Sequence, residues 1–197
     1  EFIFIISNKK KIIKKYFYND VFFKKIIKKK NKDLKLLYQY KKIKKYKKMI
    51  KFVYQNTPRG TGDAVLKCKK FLKHDFFLML LPDDLIIKKN CSKEMINLHK
   101  KTKSSVIATK LVNKKTVSRW GILSIKNKNK NSFQISDVVE KPTVKEAKSN
   151  YAIIGRYILP TNIMQEIINL NPGKGGEIHI TDAIKNLIIK GNNFYAN

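Results

Sequence analysis

The sequence has 197 residues, of which 43% are hydrophobic and 11% aromatic. This length allows one domain with a sizeable core and is too short for two. The hydrophobic content is too high for a disordered chain. Its 44 Lys and Arg against 14 Asp and Glu give a formal net charge of +30, a balance typical of proteins that bind nucleic acid or anionic membranes. However, the lysines are spread along the chain among many isoleucines and asparagines, which favours a drifted codon composition and leaves a nucleic-acid-binding protein as an alternative.

The first third of the chain predicts two strands and two helices. The apolar run from Phe2 to Ile6 is typical of a buried, parallel-type strand, and a helix follows over residues 9–18. A strongly basic helix is predicted over residues 34–48 and a short strand over residues 52–55. Because the chain opens inside a buried strand and without Met, we expect it to be a piece of a longer protein.

The middle of the chain continues the alternation of helix and strand. Apolar spacing predicts a helix from Asp63 to Leu72, and the run from Phe76 to Leu81 is a strand that stops at Pro82. Ser92 is a candidate N-cap for a helix that reaches about Lys101.

The remaining elements are four strands and two helices. The strands are predicted at residues 106–112, 120–125, 133–139 and 151–159, with a polar hairpin tip at 126–131. Thr161 and Thr181 are candidate caps for the two helices, and Gly191 is a candidate stop signal for the second. The alternation predicts an α/β fold with a mixed, mostly parallel central sheet and flanking helices, as one Rossmann-like domain over residues 1–197.

The first candidate site lies after the predicted strand at 52–55, because open α/β sheets bind ligands at the carboxyl ends of their strands. Gly60 and Gly62 let backbone N–H groups approach a ligand closely, and the helix that follows presents a partial positive charge. A tight strand-to-helix turn also needs glycine for structural reasons, so this interpretation stays open.

Two adjacent carboxylates form the second candidate site. Asp83 and Asp84 follow a buried strand directly, and carboxylate oxygens suit Mg²⁺, which takes one or two protein carboxylates and leaves room for phosphates and water. The alternative is that they cap a turn.

The third and fourth candidates are Glu140–Lys141–Pro142 and the glycine-rich segment 172–182. Glu140 could accept hydrogen bonds from sugar hydroxyls and Lys141 could pair with a phosphate, or the two could form a surface ion pair worth ~0–1 kcal/mol. Pro142 favours extended geometry at Lys141. Glu177 follows the glycine-rich turn, and His179 is expected to pack or to face solvent.

Several other classes of site are disfavoured. Cys68 and Cys91 have no paired spacing, so neither a disulfide framework nor a zinc site follows, and a reducing cytoplasm fits. No Ser/His/Asp or Cys/His arrangement for a nucleophile can be assembled, and no segment is long and apolar enough to span a bilayer.

Six short motifs lie at residues 55–65, 81–84, 120–122, 139–142, 149–157 and 175–182. Taken in this order, they resemble the bacterial UTP–glucose-1-phosphate uridylyltransferases, in the sugar-phosphate nucleotidyltransferase family. The Gly-Arg-Tyr and Gly-Glu-Ile-x-x-Thr-Asp elements favour these enzymes over the related thymidylyltransferases.

The resemblance implies a role for each matching residue. Gln55 and Gly60 would contact uracil, and Asp83 would bind Mg²⁺. Gly121, Glu140 and Lys141 would contact glucose 1-phosphate, and Glu177 would be a further sugar contact. The implied reaction is in-line attack of the sugar phosphate on the α-phosphorus of UTP, which needs no protein nucleophile.

The resemblance also sets expectations for the whole protein. The family's glycine-rich triphosphate loop would precede Glu1 and a second metal-binding Asp would follow Asn197, so we expect this stretch alone to be inactive or weak and the full-length protein to be active. We further expect a cytoplasmic homo-oligomer without a specific nucleic-acid partner or a membrane partner. A non-catalytic, regulatory relative of the same fold is the other alternative.

Overall fold

The computed structural model of the protein describes residues 1–19, 21, 24–25, 33–129 and 132–197. The chain divides into two units, residues 1–58 and 59–197. No helix within these described ranges is long and apolar enough to cross a membrane.

The first unit contains a two-stranded parallel sheet. Strand β1 (Phe2–Ile6) pairs with β2 (Ile50–Tyr54). A 3-10 helix (Asn8–Lys10), α1 (Lys11–Tyr18) and α2 (Leu34–Lys47) lie between them in the chain. The Asp33 side chain caps α2 by accepting a hydrogen bond from the Leu36 N–H. The aromatic rings of Phe4, Phe17 and Phe52 pack against one another between the sheet and α1.

The second unit is a six-stranded mixed sheet with helices. Its strands are β3 (Phe76–Leu80), β4 (Ser105–Leu111), β5 (Gly121–Asn129), β6 (Ser132–Glu140), β7 (Tyr151–Pro160) and β8 (Phe194–Ala196). Its helices are α3 (Thr61–Leu66), α4 (Cys91–Thr102), α5 (Ile163–Ile168) and α6 (Ile180–Ile189), with 3-10 helices at Lys69–Phe71, Lys114–Arg119 and Lys174–Gly176. The strand order is β3-β7-β4-β8-β6-β5, and β5 also pairs with β7.

Strand β7 organises this sheet. Ile158 pairs with one residue of β3 and one residue of β4, so β3 and β4 lie on opposite edges of β7. Ala152 pairs in the same way with β4 and β5. The strands β3 and β5 therefore share the edge of β7 that lies opposite β4. Both run antiparallel to β7, so the carboxyl end of β3 and the amino end of β5 meet along that edge.

Hydrophobic side chains cover the sheet on both faces. The larger cluster buries Ile107, Leu123 and Leu159 against residues of α5 and α6, such as Ile163 and Ile184. The smaller cluster, which includes Met95, Val106 and Ile158, packs α4 against the opposite face. Burial on this scale supplies the main stabilising term of the unit.

The α/β class and the mixed sheet are confirmed, but the expected predominance of parallel pairing is wrong for the described strands. Only β1–β2 and β4–β8 pair in parallel among them, and the other pairings are antiparallel. Strand β7 is apolar on both faces because helices cover both, and such a run has the same composition in a parallel and in an antiparallel sheet.

Several predicted boundaries are also corrected. The polar segment 126–129 belongs to β5, since its backbone pairs with β6, while residues 130 and 131 lie outside the described residues. The helix predicted over 63–72 spans Thr61–Leu66 and is followed by the 3-10 helix. Asn90 rather than Ser92 caps α4, Asn162 rather than Thr161 precedes α5, and His179 rather than Thr181 precedes α6.

Candidate functional site

Gly121, Glu140 and Thr181 form a tightly packed cluster at the amino end of β5. Gly121 and Glu140 are cross-strand partners at the open end of the β5–β6 hairpin. The Thr181 hydroxyl, in the first turn of α6, donates a 2.9 Å hydrogen bond to Glu140 Oε2. A β-carbon at Gly121 would lie 3.2 Å from both Glu140 Oε2 and Thr181 Cγ2, so only glycine leaves this space to the carboxylate.

Lys141 follows Glu140 in an unusual backbone conformation. Its φ angle is +45°, so the extended geometry expected before Pro142 is not adopted. Its N–H donates to the Trp120 carbonyl (2.9 Å), and its carbonyl accepts a 2.7 Å hydrogen bond from Lys174 Nζ. These bonds hold a conformation that costs about 1–3 kcal/mol and that is common at functional sites. The Lys141 ammonium is half-exposed and lies 4.0 Å from Glu140 Oε1.

The segment Leu81–Asp84 turns away from the sheet at the carboxyl end of β3. The Leu81 N–H donates to the Gly155 carbonyl (2.7 Å), and the Arg156 guanidinium donates to the Asp84 carbonyl (2.6 Å). Gly155 has a φ of +33°, and a β-carbon there would collide with Asp84 Oδ2. The Asp84 carboxylate therefore lies against Gly155, whereas Asp83 is exposed.

The structure brings these two groups of residues to the same edge of β7. Leu81 bonds to Gly155, and the register of β5 places Gly121 opposite Ile153, where a β-carbon on Gly121 would contact the isoleucine side chain. Two residues of a strand span roughly 7 Å. The loop that carries Asp83 and the hairpin end that carries Glu140 and Lys141 thus leave the sheet at neighbouring positions.

Tyr157 lies within the electrostatic influence of both groups of residues. Burial raises the pKa of its hydroxyl far above the ordinary value, and the negative charges of Glu140 and Asp84 raise it further. The Tyr157 phenol is therefore neutral, and it lies near one carboxylate from the Leu81–Asp84 segment and one from the end of the β5–β6 hairpin.

Gly60 and Glu177 are also brought together. Gly60 has a φ of +98°, and a β-carbon there would lie 2.5 Å from the Ile178 carbonyl oxygen. The Ile178 N–H donates to the Arg59 carbonyl and its own carbonyl accepts from the Gly62 N–H, both at 2.8 Å. The glycine turn is therefore built against the segment that carries Glu177.

Gln55 lies in the first unit, where it follows β2 and its N–H donates to the Ile6 carbonyl (2.9 Å). His179 is buried, with its Nε2 atom 2.7 Å from the Lys174 carbonyl and its Nδ1 atom 4.0 Å from Glu177 Oε2. Of the two expectations for His179, packing is therefore the one that the structure supports.

The donor chemistry of this region fits Mg²⁺. The described residues contain no group of three or more His, Cys, Asp and Glu side chains arranged to hold a metal. Magnesium, however, needs only one or two protein carboxylates when phosphates supply other ligands. Asp83 is an exposed carboxylate that makes no ion pair within the described part of the chain, so it can serve as such a ligand.

The sequence did not predict the contacts that four further residues make in this arrangement: Thr181, Lys174, Gly155 and Tyr157. Thr181 was expected to cap a helix from outside, and no pattern distinguishes a capping threonine from one that points into a site. For Gly155 and Tyr157 the signal was present, since both belong to one of the six motifs, but the motif alone assigns no contact.

Residues 3–197 match the model of the nucleotidyl transferase family. A UTP–glucose-1-phosphate uridylyltransferase of Mycoplasma genitalium is 33% identical over 201 aligned residues, covering 100% of this chain and 67% of the relative. One of Streptococcus pyogenes is 38% identical over 142 residues, covering 69% of this chain and 47% of the relative. The chain thus spans between about half and two thirds of the length of the curated relatives it matches.

A solved structure of a UDP-glucose pyrophosphorylase complexed with UDP-glucose superimposes with a TM-score of 0.81. It is 29% identical and covers 99% of this chain, which spans 72% of that structure. A UTP-bound enzyme of the same type from Acinetobacter baumannii gives a TM-score of 0.79 at 28% identity, covering 99% of this chain and 68% of that structure.

Proposed function

Because this chain belongs to the nucleotidyl transferase family, we propose that it carries most of the active site of a UTP–glucose-1-phosphate uridylyltransferase. The reaction transfers a uridylyl group from UTP to glucose 1-phosphate and yields UDP-glucose and pyrophosphate. The similarity to uridylyltransferases and to UDP-glucose pyrophosphorylases supports this choice of substrates.

One observation carries the proposal: Leu81, two residues before Asp83, and Gly121, the cross-strand partner of Glu140, meet β7 two residues apart. This arrangement supports a site in which the Asp83 carboxylate would bind a cation and the Lys141 ammonium would bind a phosphate. Two anionic substrates can be held there side by side, which is the main task of an enzyme for this reaction.

On the sugar side, this chain's residues bind and orient glucose 1-phosphate. Glu140 offers its carboxylate to sugar hydroxyls. Lys141 offers its ammonium to the phosphate, and Gly121, which leaves space for the Glu140 carboxylate, would contact the sugar through its backbone. A phosphate oxygen of glucose 1-phosphate then forms a bond to the α-phosphorus of UTP, the bond from that phosphorus to the bridging oxygen breaks, and pyrophosphate leaves with the electron pair. No residue is required as a covalent nucleophile.

On the nucleotide side, Asp83 would hold Mg²⁺. When bound, the ion neutralises phosphate charge that would otherwise oppose the approach of the second anion. Gln55 and the backbone at Gly60 would contact the uracil, and Glu177, which lies beside Gly60, would contact the sugar.

We extend the proposal to the whole protein in three respects. The family match crosses both units, which supports a single nucleotidyltransferase domain over residues 1–197. The substrates are metabolites of the cytoplasm, which supports a cytoplasmic location. A homo-oligomer remains the expected assembly.

The test is Mg²⁺-dependent release of pyrophosphate from UTP and glucose 1-phosphate by the full-length protein. Asp83→Ala and Lys141→Ala should each abolish release while circular dichroism shows an intact fold. The matched controls are Asp75→Ala and Lys101→Ala, which change exposed residues of the same charge elsewhere in the second unit. Wild-type turnover in both site variants would refute the proposal.

A further inference from the structure

Thr181 is a buried polar residue whose role the proposed reaction does not define. It is 4% exposed and lies inside the first turn of α6, where its hydroxyl does not cap the helix. The hydroxyl instead donates to Glu140 Oε2, 41 residues away in the chain, and the methyl group faces Gly121. A hydroxyl committed to a distant carboxylate indicates a function beyond helix stability.

The bond constrains which atoms of Glu140 remain available. The carboxylate side chain is 17% exposed, and Oε2 is enclosed between the Thr181 hydroxyl and the Gly121 backbone. Oε1 is left as the atom that can accept from a ligand. The Lys141 ammonium lies 4.0 Å from that same atom, so Glu140 and Lys141 are near enough to form a closer ion pair if the carboxylate were free to turn.

We propose that Thr181 is a positioning residue that holds the Glu140 carboxylate away from Lys141, so that Oε1 stays free for a sugar hydroxyl and the ammonium for a phosphate. This inference rests on the proposed function and names a determinant of its sugar-phosphate side. Without the hydroxyl, the carboxylate can rotate toward the ammonium, and each charge would satisfy the other instead of the substrate. Hydrogen bonds to charged groups are strong enough for such control.

The proposal predicts a loss that is confined to one substrate. Removing a hydrogen bond to a carboxylate is worth a factor of about ten or more in affinity. In the full-length protein, Thr181→Val should therefore raise the KM for glucose 1-phosphate about tenfold or more. It should leave the KM for UTP within about twofold, because the Thr181 hydroxyl bonds to Glu140 on the sugar-phosphate side.

The same variant should also weaken the choice among sugars. A site built to hydrogen-bond a hydroxyl rejects an analogue that lacks it. The preference for glucose 1-phosphate over a panel of its monodeoxy analogues, measured as the ratio of kcat/KM values, should fall in Thr181→Val. A role in stability alone would change the amount of folded enzyme and leave this ratio unchanged.

Thr181→Ser keeps the hydroxyl and should keep both the KM and the ratio close to those of the wild type. If Thr181→Val does not fold, Thr181→Ala against Thr181→Ser gives the same comparison, since the two differ only by the hydroxyl. Equal KM values for glucose 1-phosphate in the variants with and without the hydroxyl would overturn the role of Thr181. A wild-type enzyme that releases no pyrophosphate from UTP and glucose 1-phosphate would instead overturn the proposed function.

Discussion

Two regions meet along one edge of β7, the carboxyl end of β3 and the amino end of β5, and they are stabilised in different ways. The side proposed to bind the sugar, here called the sugar side (Gly121, Glu140 and Thr181), is fixed by a hydrogen bond between partly or fully buried side chains and by close packing against a glycine. The side proposed to bind the metal, here called the metal side (Leu81–Asp84), is held by bonds to backbone carbonyls, and its Asp83 carboxylate is exposed. One side is shaped before any ligand arrives, and the other has a fixed backbone with an open carboxylate.

The difference corresponds to what each ligand requires. A sugar is recognised by the direction of its hydroxyl groups, so its acceptors must be oriented in advance. A hydrated magnesium ion brings its own octahedral shell and needs an accessible oxygen more than an oriented one. Variants on the metal side should therefore affect chemistry, and variants on the sugar side should affect selection.

The largest expected effect is that of Asp83→Asn. The amide keeps the size of the side chain and removes its charge, so Mg²⁺-dependent pyrophosphate release should fall about 100-fold or more. Because Asp83 is exposed, the thermal midpoint should stay close to that of the wild type. The measurements are turnover at several Mg²⁺ concentrations and thermal unfolding, with Asp75→Asn as the control. An Asp83→Asn enzyme with normal turnover would remove the distinction between the two sides.

Gly155→Ala should distort the metal side through the backbone. The new β-carbon would lie 2.8 Å from the Leu81 β-carbon and would collide with Asp84, at a φ of +33°. We expect a loss of about 2–4 kcal/mol in the free energy of unfolding, measured by denaturant titration.

The control for this variant is Gly191→Ala, at a glycine with a φ of +87° and no atom within 4 Å of the added carbon. It should cost only about 1–2 kcal/mol, from the backbone conformation alone. Equal losses in the two variants would mean that Asp84 does not pack against Gly155 as described.

A smaller effect is expected for Lys174→Met, which removes the bond to the Lys141 carbonyl. That bond joins an exposed ammonium to a carbonyl, so its loss should be worth about 0.5–1.5 kcal/mol. The KM for glucose 1-phosphate should rise about twofold to tenfold, and Lys174→Arg should recover part of the loss. Lys101→Met is the control for a change of charge alone, and an equal rise in that variant would assign the effect to net charge.

The smallest effect concerns the two cysteines, which flank β3 in the chain. Burial raises the pKa of Cys68 to about 11, so its thiol is protonated at pH 7.5 and its thiolate becomes abundant only as the pH approaches that value. Burial also raises the pKa of Cys91, but the positive charge of Arg156 partly opposes that shift. Iodoacetamide should therefore label Cys91 before Cys68 in the folded protein, as followed by mass spectrometry. Faster labelling of Cys68 would show that the region after α3 opens more readily than the amino end of α4.

The sequence predicted much of the fold and most of the candidate positions, for identifiable reasons. Apolar runs with polar stops locate β3 and β7 to within a residue or two, and the motifs at strand ends identify Asp83, Glu140 and Lys141 as candidates. Their roles remain predictions.

Features that depend on distant pairing could not be predicted. The left-handed Lys141 is held by the Trp120 carbonyl and by Lys174, which lie 21 and 33 positions away in the chain. The bond between Thr181 and Glu140 spans 41 residues. The antiparallel pairing of β7 was hidden because a strand covered on both faces has the same apolar composition in either direction.

The shared edge of β7 constrains how the protein can vary in length. The spacing between the two strand ends that meet there is fixed by the number of residues from Ile153 to Gly155, so an inserted residue would shift one of these ends by about 3.4 Å and turn the following side chains to the opposite face. Insertions in the exposed stretch at 87–89 would meet no such restriction. Tolerance to insertion should therefore drop sharply within β7, between Ile153 and Gly155.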